Sequence, residues 1–238
     1  MDRFSLQPRT WRRGTKFDDP SGCLATVLTS NSAASEAYRT LRTNLLYYAH
    51  GDAPPKVIVV TSHGPREGKS VTCANLGVVL AEAGKSTLLL DCDLHTPTLH
   101  KIFALPNLRG VTDVLAGEYS LQGIWQEPLP ELKVVTVGPV PPNPAELLAS
   151  RRFAELLDQS RQEFEYVLVD SPPVGRVSDP LVLAAKGDGV LLVIDAQSTR
   201  KASVWQSMRA LEGVGARVLG TIMNNVNNVK GGYGNYPA

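Results

Sequence analysis

Cysteine is scarce in this chain. Cys23, Cys73 and Cys92 are the whole set, and no CxxC spacing occurs. Neither a disulfide framework nor a thiolate metal site is expected, and the three read as small core or loop residues of a reducing cytosol. Long apolar runs are also missing. Those at 57–60 and 190–194 are strand-length, far short of the roughly 20 residues a membrane-crossing helix needs. The opening MDRFSLQPRTWRRG has no apolar stretch and is not read as a secretory signal. A cytoplasmic location follows as the expectation, with any recruitment to the membrane's inner face left to a partner. Charge of one sign is lacking too. A net charge of +1 leaves no footprint for a polyanion, so no nucleic-acid partner is expected.

What is present suits one large α/β domain: 238 residues, 43% hydrophobic, enough for a sizeable core. Residues 1–31 are polar and aperiodic and read as a flexible arm. A serine-capped helix is expected from 32–35 to about 49, because Tyr38, Leu41, Leu45 and Tyr48 recur at helical spacing. The GDAPP stretch at 51–55 breaks it. Residues 56–62 (KVIVVTS) read as a buried strand, 71–83 as a helix ended by Gly84, and 86–91 (STLLLD) as the next strand. That βαβ unit implies a parallel sheet. Further strands are expected at 132–137, 166–170, 189–195 and 216–223, with helices at 145–148, 152–163, 179–185 and 202–212. The fold class is therefore α/β, a doubly wound and mainly parallel sheet flanked by helices over residues 32–228. Residues 229–238 read as a flexible glycine-rich tail.

The first chemistry-bearing segment is Gly64-Pro65-Arg66-Glu67-Gly68-Lys69-Ser70, followed by Val71 at the expected helix start. A triphosphate needs backbone N–H groups that close around it, hence glycine where a Cβ would collide. The helix N-terminus adds its dipole. Lys69 suits the β- and γ-phosphates of ATP, and the Ser70 hydroxyl suits Mg²⁺. The strict P-loop pattern places its first glycine at position 63; here that residue is His63, and Gly64 comes one later. Two carboxylates, Asp91 and Asp93, leave the strand after the P-loop helix. Two residues apart, they face one side of an extended chain, where they can hold Mg²⁺ or take a proton from an attacking hydroxyl. A third, Asp170, ends the apolar strand VLVD, where a second Mg²⁺-facing carboxylate is needed.

The order P-loop, LLLDCD, YVLVDSPP resembles the bacterial tyrosine kinases of capsule and exopolysaccharide systems. These belong to the deviant P-loop ATPases that include the MinD and ParA types. The resemblance runs over about residues 30–230. It includes Glu36-Ala-Tyr-Arg39-Thr-Leu-Arg42, Pro97-Thr-Leu-His-Lys101, GPVPPNPAELL at 138–148 and GTIMNN at 220–225. It implies an ATP- and Mg²⁺-dependent protein-tyrosine kinase that autophosphorylates. Lys69 and Ser70 would bind phosphates and metal, Asp91 would be the base, and Asp93 and Asp170 would orient metal and water. Asn224 would lie near the adenine. Glu36, Arg39 and Arg42 would build a ring of subunits. Tyr233 and Tyr236 would be the phosphoacceptors, offered to a neighbouring subunit. A transmembrane polysaccharide co-polymerase would act as adaptor and activator.

MinD and ParA types usually carry a lysine early in the P-loop, where this chain has Gly64, which favours the kinase. Departures from the kinase pattern are His95 in place of an arginine, Val71 in place of a hydroxyl residue, and two tail tyrosines in place of a dense cluster. Two alternatives share the same motifs. One is a MinD/ParA-type ATPase switch; the other is an ATP-binding scaffold of a polysaccharide export complex.

Overall fold

The computed structural model describes residues 24–28, 32–48, 54–140 and 143–226. Seven strands form one sheet: β1 (Val57–Ser62), β2 (Thr87–Asp91), β3 (Gln126–Leu129), β4 (Leu132–Val135), β5 (Tyr166–Asp170), β6 (Gly189–Asp195) and β7 (Val218–Asn224). Their order is β3-β4-β2-β5-β1-β6-β7. All neighbours are parallel except β3 with β4. The helices are α1 (Ala25–Leu28), α2 (Ala33–Leu46), α3 (Lys69–Glu82), α4 (Leu99–Ile102), α5 (Val111–Ala116), α6 (Leu121–Ile124), α7 (Pro144–Ala149), α8 (Arg151–Glu163), α9 (Asp179–Lys186) and α10 (Lys201–Gly213).

The central strands are apolar without a polar face because both sides of the sheet are covered. Alternate side chains separate into two cores. Val57, Val59, Leu88, Leu90, Val167 and Val169 pack under α5 to α10. Ile58, Val60, Leu89 and Leu168 pack under α1 to α4. Helix α3 is buried nearly all round, lying between the sheet and α2. It sits close to the strands because residue 77 is glycine; a Cβ there would lie 2.7 Å from a methyl of Leu89.

The doubly wound sheet agrees with the sequence reading, and strands 166–170 and 189–195 agree to the residue. Helix α2 ends at Leu46, short of the expected 49, and Ser32 caps it by accepting the Ser35 N–H. Part of the expected flexible arm is packed. Leu24 and Thr26 are buried, and Asn75 of α3 accepts both the N–H and the hydroxyl of Thr26, at 3.2 and 3.0 Å. Tertiary ties of this kind, which include the Ser35 hydroxyl donating to the Ala25 carbonyl at 3.0 Å, leave no periodic signal on a four-residue helix. The strand β3, which contains Pro128, was not among the expected strands. It is the sheet's antiparallel edge, where proline is tolerated.

Asn75→Ala should release this anchor. Urea melts are expected to show a loss of about 1–3 kcal/mol, the cost of stranding buried donors. Hydrogen exchange should accelerate at residues 24–28 while β1 and β2 stay protected. Unchanged exchange at Thr26 would contradict the anchor.

Candidate active site

The P-loop is the connection from β1 to α3, at the C-terminal edge where ligands of doubly wound sheets bind. Arg66 and Gly68 are left-handed, with φ of 63° and 95°. Position 68 demands glycine twice over: by its φ, and because a Cβ would lie 2.0 Å from Nδ2 of Asn224. No side chain caps α3, so its first-turn N–H groups remain open to an anion. Pro65 and Arg66 are exposed, and Val71 packs on the core.

Below the loop lie the carboxylates. Parallel pairing of β2 and β5 sets Asp91 beside Asp170 in register, and both are fully buried, as is Asp93. Each carboxylate has a different environment. Asp91 Oδ2 accepts the N–H groups of Thr98 and Leu99, at 3.1 and 3.0 Å, and so holds the start of α4. Its Oδ1 accepts the Asp93 N–H at 3.3 Å. Asp93 accepts the N–H and hydroxyl of Thr96 and, at 2.6 Å, the Lys69 ammonium. Neither oxygen of Asp170 accepts a hydrogen bond; its nearest cation is Lys69 at 3.7 Å. Lys69 also donates to Ser70 Oγ, at 3.1 Å.

A buried carboxylate without a hydrogen-bond donor is costly unless a ligand completes it. With the Ser70 hydroxyl and Asp93 on the same floor, these oxygens suit a hard divalent cation that also takes ligands from phosphates and water. Above the floor, the open N–H groups suit the phosphates. The CobQ/CobB/MinD/ParA nucleotide binding domain matches residues 58–232. The Bacillus subtilis tyrosine-protein kinase YwqD is 42% identical over 194 residues, 81% of each chain. The kinase domain of the Escherichia coli tyrosine kinase ETK superposes with a TM-score of 0.82 at 31% identity, over 90% of this chain and 84% of that one.

The chain belongs to the bacterial tyrosine-protein kinases.

Its fold is shared more widely. MinD of Pyrococcus horikoshii, solved with Mg-ADP, matches with a TM-score of 0.61 at 22% identity, over 71% of this chain and 69% of that one. Within this kinase the structure brings together Gly64, Gly68, Lys69, Ser70, Asp91, Asp93 and Asp170. Asn224 stands beside the P-loop, its amide donating to the Glu67 carbonyl at 3.1 Å. Of the α2 residues, Glu36 and Arg39 form an outward i,i+3 ion pair at 3.2 Å. Arg42 instead donates to the Val79 carbonyl of α3, at 3.1 Å. His95 meets Asp179 at 2.9 Å. Tyr233 and Tyr236 lie outside the described residues, as does most of the expected arm. No described helix is long and apolar enough to cross a membrane. Sequence reasoning missed Thr199, whose hydroxyl donates to Glu67 Oε1 at 2.7 Å, because no motif links residues 132 apart.

Burial and the neighbouring Asp170 push the Asp91 carboxyl up to about 8. Burial pushes Asp170 up to about 6, opposed by Lys69. Burial works against the charge on Lys69, but Asp170 and Asp93 outweigh it and the ammonium is held more tightly than usual. Asp93 is lowered despite burial, because Lys69 and Thr96 favour its charged form. Raised carboxyls bind protons more tightly in the folded state. Their contribution is complete below the ordinary value of 3.8 and is lost as pH rises through about 6 and 8. The nucleotide-free protein should therefore melt at lower temperature at pH 8 than at pH 5. Asp170→Asn should flatten that slope and raise the melting temperature at pH 8 by about 2–4 °C, on the order of 1 kcal/mol. Calorimetric scans across pH check this; an unchanged slope in the variant would contradict it.

Proposed function

We propose that the chain is an ATP- and Mg²⁺-dependent protein-tyrosine kinase of a capsular or exopolysaccharide system, autophosphorylating on Tyr233 and Tyr236. The observation that carries this reading is the buried Asp170 carboxylate, with Lys69 at 3.7 Å and no hydrogen bond accepted, beside Asp91, Asp93 and Ser70 beneath an open P-loop. Bound ATP supplies the phosphoryl group, and Mg²⁺ the neutralisation of its charge.

The chain's own residues do the rest. The first-turn N–H groups of α3 hold the phosphates, and Asn224 flanks them on the adenine side. Ser70, Asp93 and Asp170 hold the metal. Lys69 now rests on Asp93; in the loaded site it turns to the phosphates, where its charge stabilises the phosphoryl group in flight. Asp91 takes the proton of the incoming tyrosine hydroxyl. Since its Oδ2 holds the α4 N-terminus, that segment must yield as the tyrosine enters. A tail from a neighbouring subunit delivers the tyrosine, within a ring built through Glu36, Arg39 and Arg42. Each phosphorylated tyrosine gains about −1.5 to −2 charge, which loosens the ring by repulsion. A transmembrane adaptor recruits and activates the kinase at the inner membrane face.

The test is phosphotyrosine mapping by mass spectrometry after incubation with MgATP, with and without the cytoplasmic segment of a candidate adaptor. Phosphate is expected on Tyr233 and Tyr236. Lys69→Ala and Asp170→Asn should each reduce the rate by about 10²–10⁴. Asp91→Asn keeps an oxygen for the α4 cap but loses basicity; it should slow phosphorylation on the same scale without unfolding α4. ATP hydrolysis with no phosphotyrosine would identify a MinD/ParA-type switch instead. ATP-dependent assembly with neither would identify a scaffold.

A further inference from the structure

Glu67 is an unexpected residue for a phosphate-binding loop. Its side chain is 5% exposed, and a carboxylate under the loop repels the phosphates that the loop exists to bind. The geometry shows what it does instead. Oε2 accepts the N–H of His63, at the start of the same loop, at 3.1 Å. Oε1 accepts the Thr199 hydroxyl, from the β6–α10 connection, at 2.7 Å. The carboxylate thus spans the loop from inside and fastens it to a second segment. Gly64 gives it room, since a Cβ there would stand 3.2 Å from Oε1.

The backbone of Glu67 is held as well. Its carbonyl accepts the Asn224 amide at 3.1 Å. The adjacent Asn225 donates to Asp195 Oδ2 at 2.8 Å, and the Asp195 N–H donates to Thr199 Oγ1 at 3.2 Å. The chain of contacts therefore closes on itself: Glu67 side chain, Thr199, Asp195, Asn225, Asn224, Glu67 carbonyl. It holds Glu67 at both side chain and carbonyl, between the two left-handed residues, Arg66 and Gly68. A non-glycine residue in that region is strained and persists only where its surroundings over-determine it.

We propose that Glu67 and Thr199 form a clamp that pre-shapes the P-loop, making Thr199 a positioning residue for nucleotide binding although it belongs to none of the phosphate-binding elements. The inference rests on the nucleotide site proposed above. A pre-shaped loop spends no binding energy on ordering itself. It favours ground state and transition state alike, so its loss weakens binding more than turnover. Charge-assisted hydrogen bonds such as Thr199 to Glu67 are the strong ones. The half-buried position of Thr199 lets it be changed without opening the core.

The experiment follows phosphotyrosine formation against MgATP concentration. It uses the full chain, Thr199→Val, Thr199→Ser, Glu67→Gln and the Thr199→Val/Glu67→Gln double variant. Thr199→Val removes the hydroxyl at constant shape and is expected to raise KM for MgATP about tenfold while kcat moves less than about twofold. Thr199→Ser restores the hydroxyl and should lie within about twofold of wild type in both. The double variant should be little worse than the worse single one, as for groups acting together. Equal KM values for Thr199→Val and Thr199→Ser would overturn the clamp, as would multiplicative effects in the double variant. If the wild type makes no phosphotyrosine, the kinase reading fails separately. Calorimetric titration of the same variants with MgATP then decides the clamp, on the same tenfold difference in Kd.

Discussion

One imbalance of charge governs this molecule. Asp91, Asp93 and Asp170 share a buried floor with a single ammonium, that of Lys69. Three carboxylates around one cation cannot all ionise cheaply away from water. Burial raises two of them above the ordinary carboxyl value, Asp91 to about 8 and Asp170 to about 6, while the third pairs closely with Lys69. That shortage of positive charge is the physical reason the site would favour the cation proposed for it. The fold sustains the imbalance because it is built into the sheet register, where β2 and β5 end side by side. Neither carboxylate can withdraw without breaking the ladder.

The rest of the site distributes the consequences. Lys69 is the ammonium that lies against Asp93 and near Asp170, and in the mechanism proposed above the same residue would serve the phosphates of the loaded loop. Asp91 contributes in a way its position in a DxD motif does not reveal. By holding the N-terminus of α4 and the Asp93 N–H, it fixes the turn that aims Asp93 at Lys69. Loss of its charge and loss of its hydrogen-bonding shape are therefore different lesions.

Legibility in the sequence followed the range of the interactions. The strands of the central sheet could be read because burial on both faces leaves uninterrupted apolar runs. The P-loop and the three aspartates could be read because each lies at a strand end, where a polar residue after an apolar run stands out. Asn224 was named through the family resemblance alone, and its visible contact is with the loop backbone. What escaped depends on distant partners. The packing of Thr26 is decided by Asn75, the β3 edge by its pairing with β4, and the purpose of Glu67 by Thr199.

The three residues of the α2 motif divide along the same line. They look equivalent in sequence, as polar positions three apart on one helix. In the structure, Glu36 and Arg39 pair on the surface, an interaction worth about a few tenths of a kcal/mol by itself, so their pairing does little for the fold. Arg42 turns inward to the Val79 carbonyl, on the helix whose first turn is the P-loop. A contact between subunits made through Glu36 and Arg39 would therefore press on a helix already tied to α3 one turn further on. In the ring proposed for this kinase, assembly and the phosphate-binding helix are mechanically adjacent, because α2 packs along α3 and Arg42 adds a polar tie between them.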